Sequence, residues 1–372
     1  MSTSSIPMYE QIQNELMEQI QSGVFQPGDR IPSEKELAER YHVSRITAVK
    51  ALTELALNGY IYRVQGRGSF ANPLDKHLKP SALKLGGVPK NDGEPCPVSV
   101  LIPEHADYHS GSIIQGITQT LQYPECFVHL VLTHSNQLEE YALEQALKSG
   151  CAGVILFPVD CEVYSDTILR MHLNKFPLVL IDRCFPGIQS SCVCCDNEKG
   201  GWLAVEHLLS LGHRNICFIA DSSFREQVTS VRYGAYVAAM TAQQLPLHAV
   251  ERFNPQTFSQ EEMERLLNAI RAREITAALV SNSHAAEWLL ELCQTGGIRI
   301  PEELSVVCFD QPRIFQGMEP LFTYVEQNSF EMGRRAAELL REAFETGQEH
   351  ACQKLVLEPK LMIHHSTQTF VK

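Results

Sequence analysis

Seven short apolar runs recur through the larger part of this chain, and between them the apolar residues switch to helical spacing. The runs are VSVLI (98–102), FVHLVLT (127–133), GVILF (153–157), LVLID (178–182), NICFIA (215–220), TAALVS (276–281) and LSVVCFD (304–310). Segments 136–149, 197–211, 283–296 and 329–346 carry the helical pattern. Near-continuous apolar strands separated by amphipathic helices call for parallel sheets covered on both faces. The 275 residues from 98 to 372 exceed one comfortable core, so the expectation is an α/β domain of two Rossmann-like lobes.

In parallel sheets of this kind ligands sit at the carboxyl ends of the strands. Polar residues gather there. Asp182 and Arg183 end one run, Asn282 another and Asp310 a third, while Asp107 and Tyr108 follow the first. Arg232 stands at the expected start of a helix, in SVRYGAY. Each alone reads as a helix cap or a surface ion pair. Together they suit a sugar or polyol, because carboxylates and guanidinium forks form paired hydrogen bonds to neighbouring hydroxyls. A hydrolytic or carbohydrate-processing enzyme fused to a helical interaction module is the alternative, with Asp182 and Asp310 as an acid/base pair. No G-x-S-x-G elbow, P-loop or H-E-x-x-H supports it.

The first seventy residues follow other rules. Tyr9, Ile12, Leu16 and Ile20 fall on one face of a helix over 8–22, which Gly23, Pro27 and Gly28 end. Ser33 and Glu36 form a capping-box pair opening a second helix, 33–41. The turn HVS leads to a third helix that Ser44 caps and Asn58-Gly59 stops. YIYRV and GSFAN then flank QGR as a β-wing. The whole chain has a formal net charge of -13, which argues against indiscriminate polyanion binding. Residues 28–72 are nevertheless mildly positive: seven bases (Arg30, Lys35, Arg40, Arg45, Lys50, Arg63, Arg67) against five acids. A winged helix-turn-helix with a local basic surface therefore points to DNA. Ser44, Arg45 and Thr47 open the third helix, where free N–H groups meet phosphate and an arginine forks onto guanine. Arg63 and Arg67 flank the wing turn, where Gly66 allows close approach to a minor groove. A protein-interaction module with a solvated basic face is the competing reading.

Residues 8–71 resemble the DNA-binding domain of GntR-type regulators, through P-G-x-x-I-P-S-E-x-x-L-A, V-S-R-x-T, A-L-x-x-L and G-x-G-x-F. That resemblance implies operator contacts by Arg45 and Thr47, backbone contacts by Ser44 and Lys35, and Gly66 at the wing. The family often has a base-contacting arginine where this chain has Val49, which shifts weight to Arg45 and Lys50. Residues 98–365 are similar to the effector domain of LacI/GalR-type repressors, which is periplasmic-binding-protein-like. The run DNEKGGWLAVEHLLSLGH carries the similarity, with RYGAY and IPEELSVVCFDQPRI. It implies effector binding by Arg232, Asn282 and Asp310, although SNS and CFD stand where the family has AND and GYD. The combination implies a repressor of carbohydrate-utilisation genes, released from double-stranded operator DNA by a sugar or sugar derivative.

The resulting division is a DNA-binding domain over 1–71, a Pro-, Gly- and Lys-rich linker over 72–97, and an effector and dimerisation domain over 98–372. A homodimer is expected, since one winged domain covers too small a half-site. The chain has 12 cysteines, most inside apolar runs. Cys192 and Cys195 have CxxC spacing without a second ligand pair, so reduced structural thiols, no metal and no cofactor are expected. No apolar stretch reaches membrane-spanning length and the N-terminal residues do not read as a secretory signal, so the cytoplasm is the expected location.

Overall fold

The structure, a computed structural model, describes residues 8–26, 28–57, 60–64, 68–71, 95–103, 107–122, 125–159, 165–185, 188, 190–224, 226–254, 256–312, 321–346 and 352–371. The chain divides into two compact units. One is Met1–Leu85, with Asp166–Arg170 grouped with it; the other is Gly86–Ser165 with Met171–Lys372. Among the described residues no helix is long and apolar enough to cross a membrane.

The first unit holds α1 (Met8–Gln21), α2 (Glu34–Arg40) and α3 (Arg45–Leu57), then β1 (Ile61–Val64) and β2 (Gly68–Ala71), which pair antiparallel. Ser33 caps α2 in a full capping box: its hydroxyl accepts from Glu36 N, and Glu36 accepts from Ser33 N at 2.6 Å. The apolar stripe of α1 (Ile12, Leu16, Ile20) packs with Leu37 of α2, Leu52 and Leu55 of α3, and Ile61 of β1. His42 takes a left-handed backbone (φ 52) in the turn between α2 and α3. The expected helix stop Asn58-Gly59 and most of the linker, 72–94, lie outside the described residues.

The second unit has two six-stranded sheets. The N-lobe contributes β3 (Cys96–Pro103), α4 (Tyr108–Thr120), β4 (Cys126–Thr133), α5 (Asn136–Lys148), β5 (Gly153–Leu156), β6 (Leu178–Ile181) and β7 (Ser191–Cys195), with α6 (Asp166–Leu173) between β5 and β6 in the chain and divided between the two units at Arg170. The C-lobe follows with α7 (Asn197–Ser210), β8 (Ile216–Ile219), α8 (Gln227–Ala242), β9 (His248–Val250), α9 (Gln260–Arg271), β10 (Ala277–Val280), α10 (Ser283–Thr295), β11 (Ser305–Phe309) and β12 (Thr323–Glu326). Then α11 (Ser329–Thr346) and β13 (Lys354–Leu357) return to the N-lobe, and β14 (Lys360–Met362) pairs antiparallel with β12. The strand orders are β13-β7-β6-β5-β3-β4 and β14-β12-β11-β10-β8-β9. Strand for strand, the two lobes repeat one doubly wound pattern.

The chain thus crosses between lobes three times: after β7, after β12 and after β13. The crossings are tied together. Asp196 N donates to Leu357 O at 2.9 Å, and Lys199 Nζ lies 2.7 Å from Glu358 Oε1. Asn328 donates its side-chain amide to Glu358 O.

Strand geometry separates the two cysteines of the CxxC spacing. Residues three apart on a strand point to opposite faces, so Cys195 joins the core with Val193 while Cys192 does not. The expectation of reduced thiols throughout is overturned at Cys184 and Cys192, which form a disulfide. Their Cα atoms lie 6.4 Å apart. Cys96, Cys126, Cys151, Cys194, Cys195, Cys217, Cys293 and Cys308 are buried free thiols.

Candidate functional site

Two surfaces gather the residues singled out above, one in each unit. In the N-terminal unit the turn before α3 presents them. Ser44 caps α3: its Oγ accepts from Thr47 N at 3.2 Å and lies 2.8 Å from Thr47 Oγ1. Arg45 is exposed, with its Nη2 3.2 Å from Glu34 Oε2. Such a solvated pair contributes little and is easily exchanged for a phosphate or a base. Lys35 is exposed, 4.0 Å from Glu39. Lys50 is held more firmly, its Nζ 3.4 Å from the centroid of the Tyr9 ring on α1. Val49 is buried, so the position where the family often places an arginine turns toward the core here. Arg63 lies on β1 opposite Ser69. Gly66 and Arg67 lie outside the described residues.

In the second unit a cleft of about 480 Å³ opens at the carboxyl ends of the strands of both lobes. Asp107, Asp182, Arg183, Arg232, Asn282 and Asp310 all line it. Tyr108 does not. Asp107 caps α4, its Oδ1 accepting from Ser110 N at 2.7 Å, and the next residue turns outward, leaving Tyr108 half exposed. The inward position belongs to His109, which the sequence reading missed.

His109 is the centre of the cleft wall. Its ring is buried, with Nδ1 2.8 Å from Ser329 Oγ and 3.6 Å from Asp310 Oδ1, and Nε2 3.9 Å from Asp182 Oδ1. Burial alone would lower the pKa of His109, but the carboxylates of Asp310, Asp182 and Asp107 outweigh it and raise it. Burial pushes Asp310 up to about 6, with His109 and Arg232 working in the opposite direction. Asp182 and Asp310 follow β6 and β11, equivalent strands of the two lobes, and both take left-handed backbones (φ 65 and 61). Aspartate tolerates that region better than most side chains.

Arg232 sits in the second turn of α8, not at its start. Its Nε donates to Asn197 Oδ1 at 2.7 Å, Nη1 to Ser281 O at 2.5 Å and Nη2 to Gln327 Oε1 at 2.9 Å. Its guanidinium carbon lies 3.8 Å from the Phe309 ring centroid. Gln327 in turn donates to Asp310 Oδ2 at 2.7 Å. Asn197 and Gln327 belong to two of the interlobe crossings, so this arginine joins the cleft floor to the hinge. Asn282 caps α10 through Ala285 N and donates to Asp221 Oδ1 at 2.8 Å. Arg183 donates to Val159 O at 2.6 Å and reaches Glu226 of the other lobe at 3.2 Å.

Among the described residues, five buried polar atoms of the lining form no hydrogen bond: His109 Nε2, Asp182 Oδ1, Arg183 Nε, Glu226 Oε1 and Ser281 Oγ. Buried polar atoms are normally satisfied, so these are the atoms a hydroxyl-bearing ligand can engage. The lining has six carboxylates (Asp107, Asp182, Asp221, Glu226, Glu287, Asp310) against the guanidiniums of Arg183 and Arg232. That balance favours an uncharged ligand over a phosphate ester.

The comparisons with known proteins follow the same division. Residues 8–70 match the gntR family of bacterial regulatory proteins, and residues 205–367 match the periplasmic binding protein-like domain. The arabinose metabolism transcriptional repressor of Geobacillus stearothermophilus is 26% identical over 99% of this chain and 100% of its own length. The HTH-type transcriptional regulator DegA of Bacillus subtilis is 32% identical over 73% of this chain and 80% of its own. Among solved structures, a LacI family transcriptional regulator from Enterococcus faecium with bound ribose superposes with a TM-score of 0.62 at 22% identity, covering 74% of this chain and 100% of that one.

Proposed function

Because the chain belongs to the HTH-type transcriptional regulators, with a gntR-family module ahead of a periplasmic-binding-protein-like domain, we propose that it represses carbohydrate-utilisation genes and leaves its operator when a sugar closes its cleft. The observation that carries the ligand class is the lining: buried polar atoms that make no hydrogen bond among the described residues, His109 Nε2, Asp182 Oδ1 and Ser281 Oγ included, in an acidic cleft shared by both lobes. A sugar touching both lobes favours their closed arrangement by its differential affinity for it. Asp107, Asp182, Arg183, Arg232, Asn282 and Asp310 are the proposed contacts, with His109 added.

The regulator works as a homodimer in the cytoplasm. The edge strand β4 exposes Phe127, Leu130 and Leu132, and Tyr141 of α5 is exposed as well; an apolar sheet edge of this kind supports pairing with a second copy. Ser44, Arg45, Thr47 and Lys35 face the operator, with Lys50, Arg63, Gly66 and Arg67 as further contacts. In a dimer, lobe rotation changes the spacing of the DNA-binding modules, and spacing sets operator affinity. Coupling of about 1–3 kcal/mol is expected.

The test is a thermal-shift screen of pentoses, hexoses and their phosphates, followed by titration of the operator complex with the best ligand. Wild type should dissociate. Asp310→Ala should bind operator as wild type does and ignore the ligand. An Asp310→Ala variant that responds normally would move the effector elsewhere, and a ligand that tightens the operator complex would reverse the proposed logic.

A further inference from the structure

Three sulfur atoms meet beneath the loop that carries Asp182 and Arg183. Cys184 belongs to that loop, and Cys192 and Cys194 share one face of β7. Their Sγ atoms all lie within 4.8 Å of one another. Cys192 and Cys194 are buried, and Cys184 is half-buried. Among the described residues no other set of three or more His, Cys, Asp or Glu side chains comes together in this way. A disulfide needs two sulfurs; here a third, free thiol is packed against it.

We propose that, once the Cys184–Cys192 bond is reduced, the thiolates of Cys184, Cys192 and Cys194 bind one thiophilic cation of the Zn²⁺ class, the disulfide being the oxidised, metal-free form of the same site. The chemistry balances. A cellular thiol reductant supplies two electrons and two protons: its own two thiols become a disulfide while Cys184 and Cys192 become thiols. The cation then displaces the three thiol protons. Soft thiolate ligands select such ions. A Zn–S bond of about 2.3 Å sets the sulfurs of a tetrahedral site roughly 3.8 Å apart. The trio reaches that spacing by opening the bonded pair and drawing Cys194 in. Half-buried Cys184 leaves a side where water completes the tetrahedron.

Lys354 lies on β13 opposite Cys192 and offsets the single negative charge that three thiolates leave on a divalent ion. The site is also placed to matter. The carbonyl of Cys184 accepts from Gln227 Nε2 of α8 at 3.0 Å, a bond between the lobes.

The experiment uses the full chain, reduced with a phosphine and transferred to metal-free buffer. Titration with Co²⁺ should develop thiolate-to-cobalt charge-transfer absorption that saturates at one equivalent and is bleached by Zn²⁺. The same protein with its disulfide intact should show none. Cys194→Ser should keep the Cys184–Cys192 disulfide, seen by peptide mass under non-reducing conditions, and lose the absorption. Cys352→Ser, which changes an exposed thiol outside the trio, should keep it. Equal cobalt uptake by reduced and oxidised wild type, or by wild type and Cys194→Ser, overturns the proposal, as does no uptake by the reduced protein. The reduced-against-oxidised comparison decides the matter even if a substitution disturbs folding.

Discussion

Arg232 commits three of its five N–H groups to Asn197, Ser281 and Gln327. Two remain for a ligand. Arg232→Ala is therefore predicted to do two things: abolish the sugar response and lower stability by about 3 kcal/mol, as buried acceptors lose a charged donor. Arg232→Lys should rescue little, since an ammonium cannot reproduce the fork. Urea melts and operator titration check both effects. His109 makes a pH prediction. The folded state raises the pKa of both Asp310, to about 6, and His109. Each therefore binds protons more readily folded than unfolded, and stability falls as pH rises. For Asp310 the window runs from its ordinary 3.8 to about 6; for His109 it runs upward from 6.5 through its raised value. His109→Leu leaves Asp182 and Asp310 without the imidazole between them. It should destabilise by about 3 kcal/mol at pH 7 and by less at pH 5, where Asp310 is largely discharged. The aspartates were legible because each ends an apolar run. His109 was not, since a single histidine inside DYHSG carries no pattern; only the packing of α11 against α4 turns it inward.

At the scale of elements, α3 and the α4–α11 pair make the sharpest claims. Arg45 is exposed and, among the described residues, pairs with Glu34 at the surface. Arg45→Ala should leave stability within about 0.5 kcal/mol of wild type and weaken specific operator binding by roughly 1–3 kcal/mol. Gel shifts against cognate and scrambled DNA separate the two. On α4 and α11 the helix backbones touch: a Cβ on Gly116 would overlap Phe330 O, and one on Gly333 would overlap Ile113 O. Gly333→Ala should cost about 1–3 kcal/mol by overpacking and displace His109, whose ring bonds Ser329 on α11. Calorimetry and the loss of ligand-induced thermal shift are the readouts. The three helices and the hairpin of the first unit were readable because each local signal, cap, turn and apolar stripe, agreed with the others. β7 was not among the runs read from the sequence, since its alternation of cysteines with one valine carries little apolar pattern; its role as a buried strand follows from pairing with β6 and β13.

For the whole molecule, the alternation of runs and helical patterns gave the α/β class and two lobes. It did not give β13 and β14, because their pairing depends on the chain crossing back between lobes, a contact no local pattern encodes. Phe127→Glu on the edge strand β4 is predicted to shift the protein toward monomer in sedimentation and to weaken operator binding without unfolding either lobe. An unchanged dimer would place the interface on another face.

The return of α11 and β13 also sets an order in time. The N-terminal module closes its core within the first 71 residues. The N-lobe, by contrast, lacks a helix and a strand until residues 329–357 have been made. At about 5–20 residues per second, synthesis takes roughly 15–60 s to cover that interval. Each nascent chain therefore carries a folded DNA-binding module well before it has a sensor. An interrupted translation product that ends before α11 would be a reader of DNA that no ligand can dismiss.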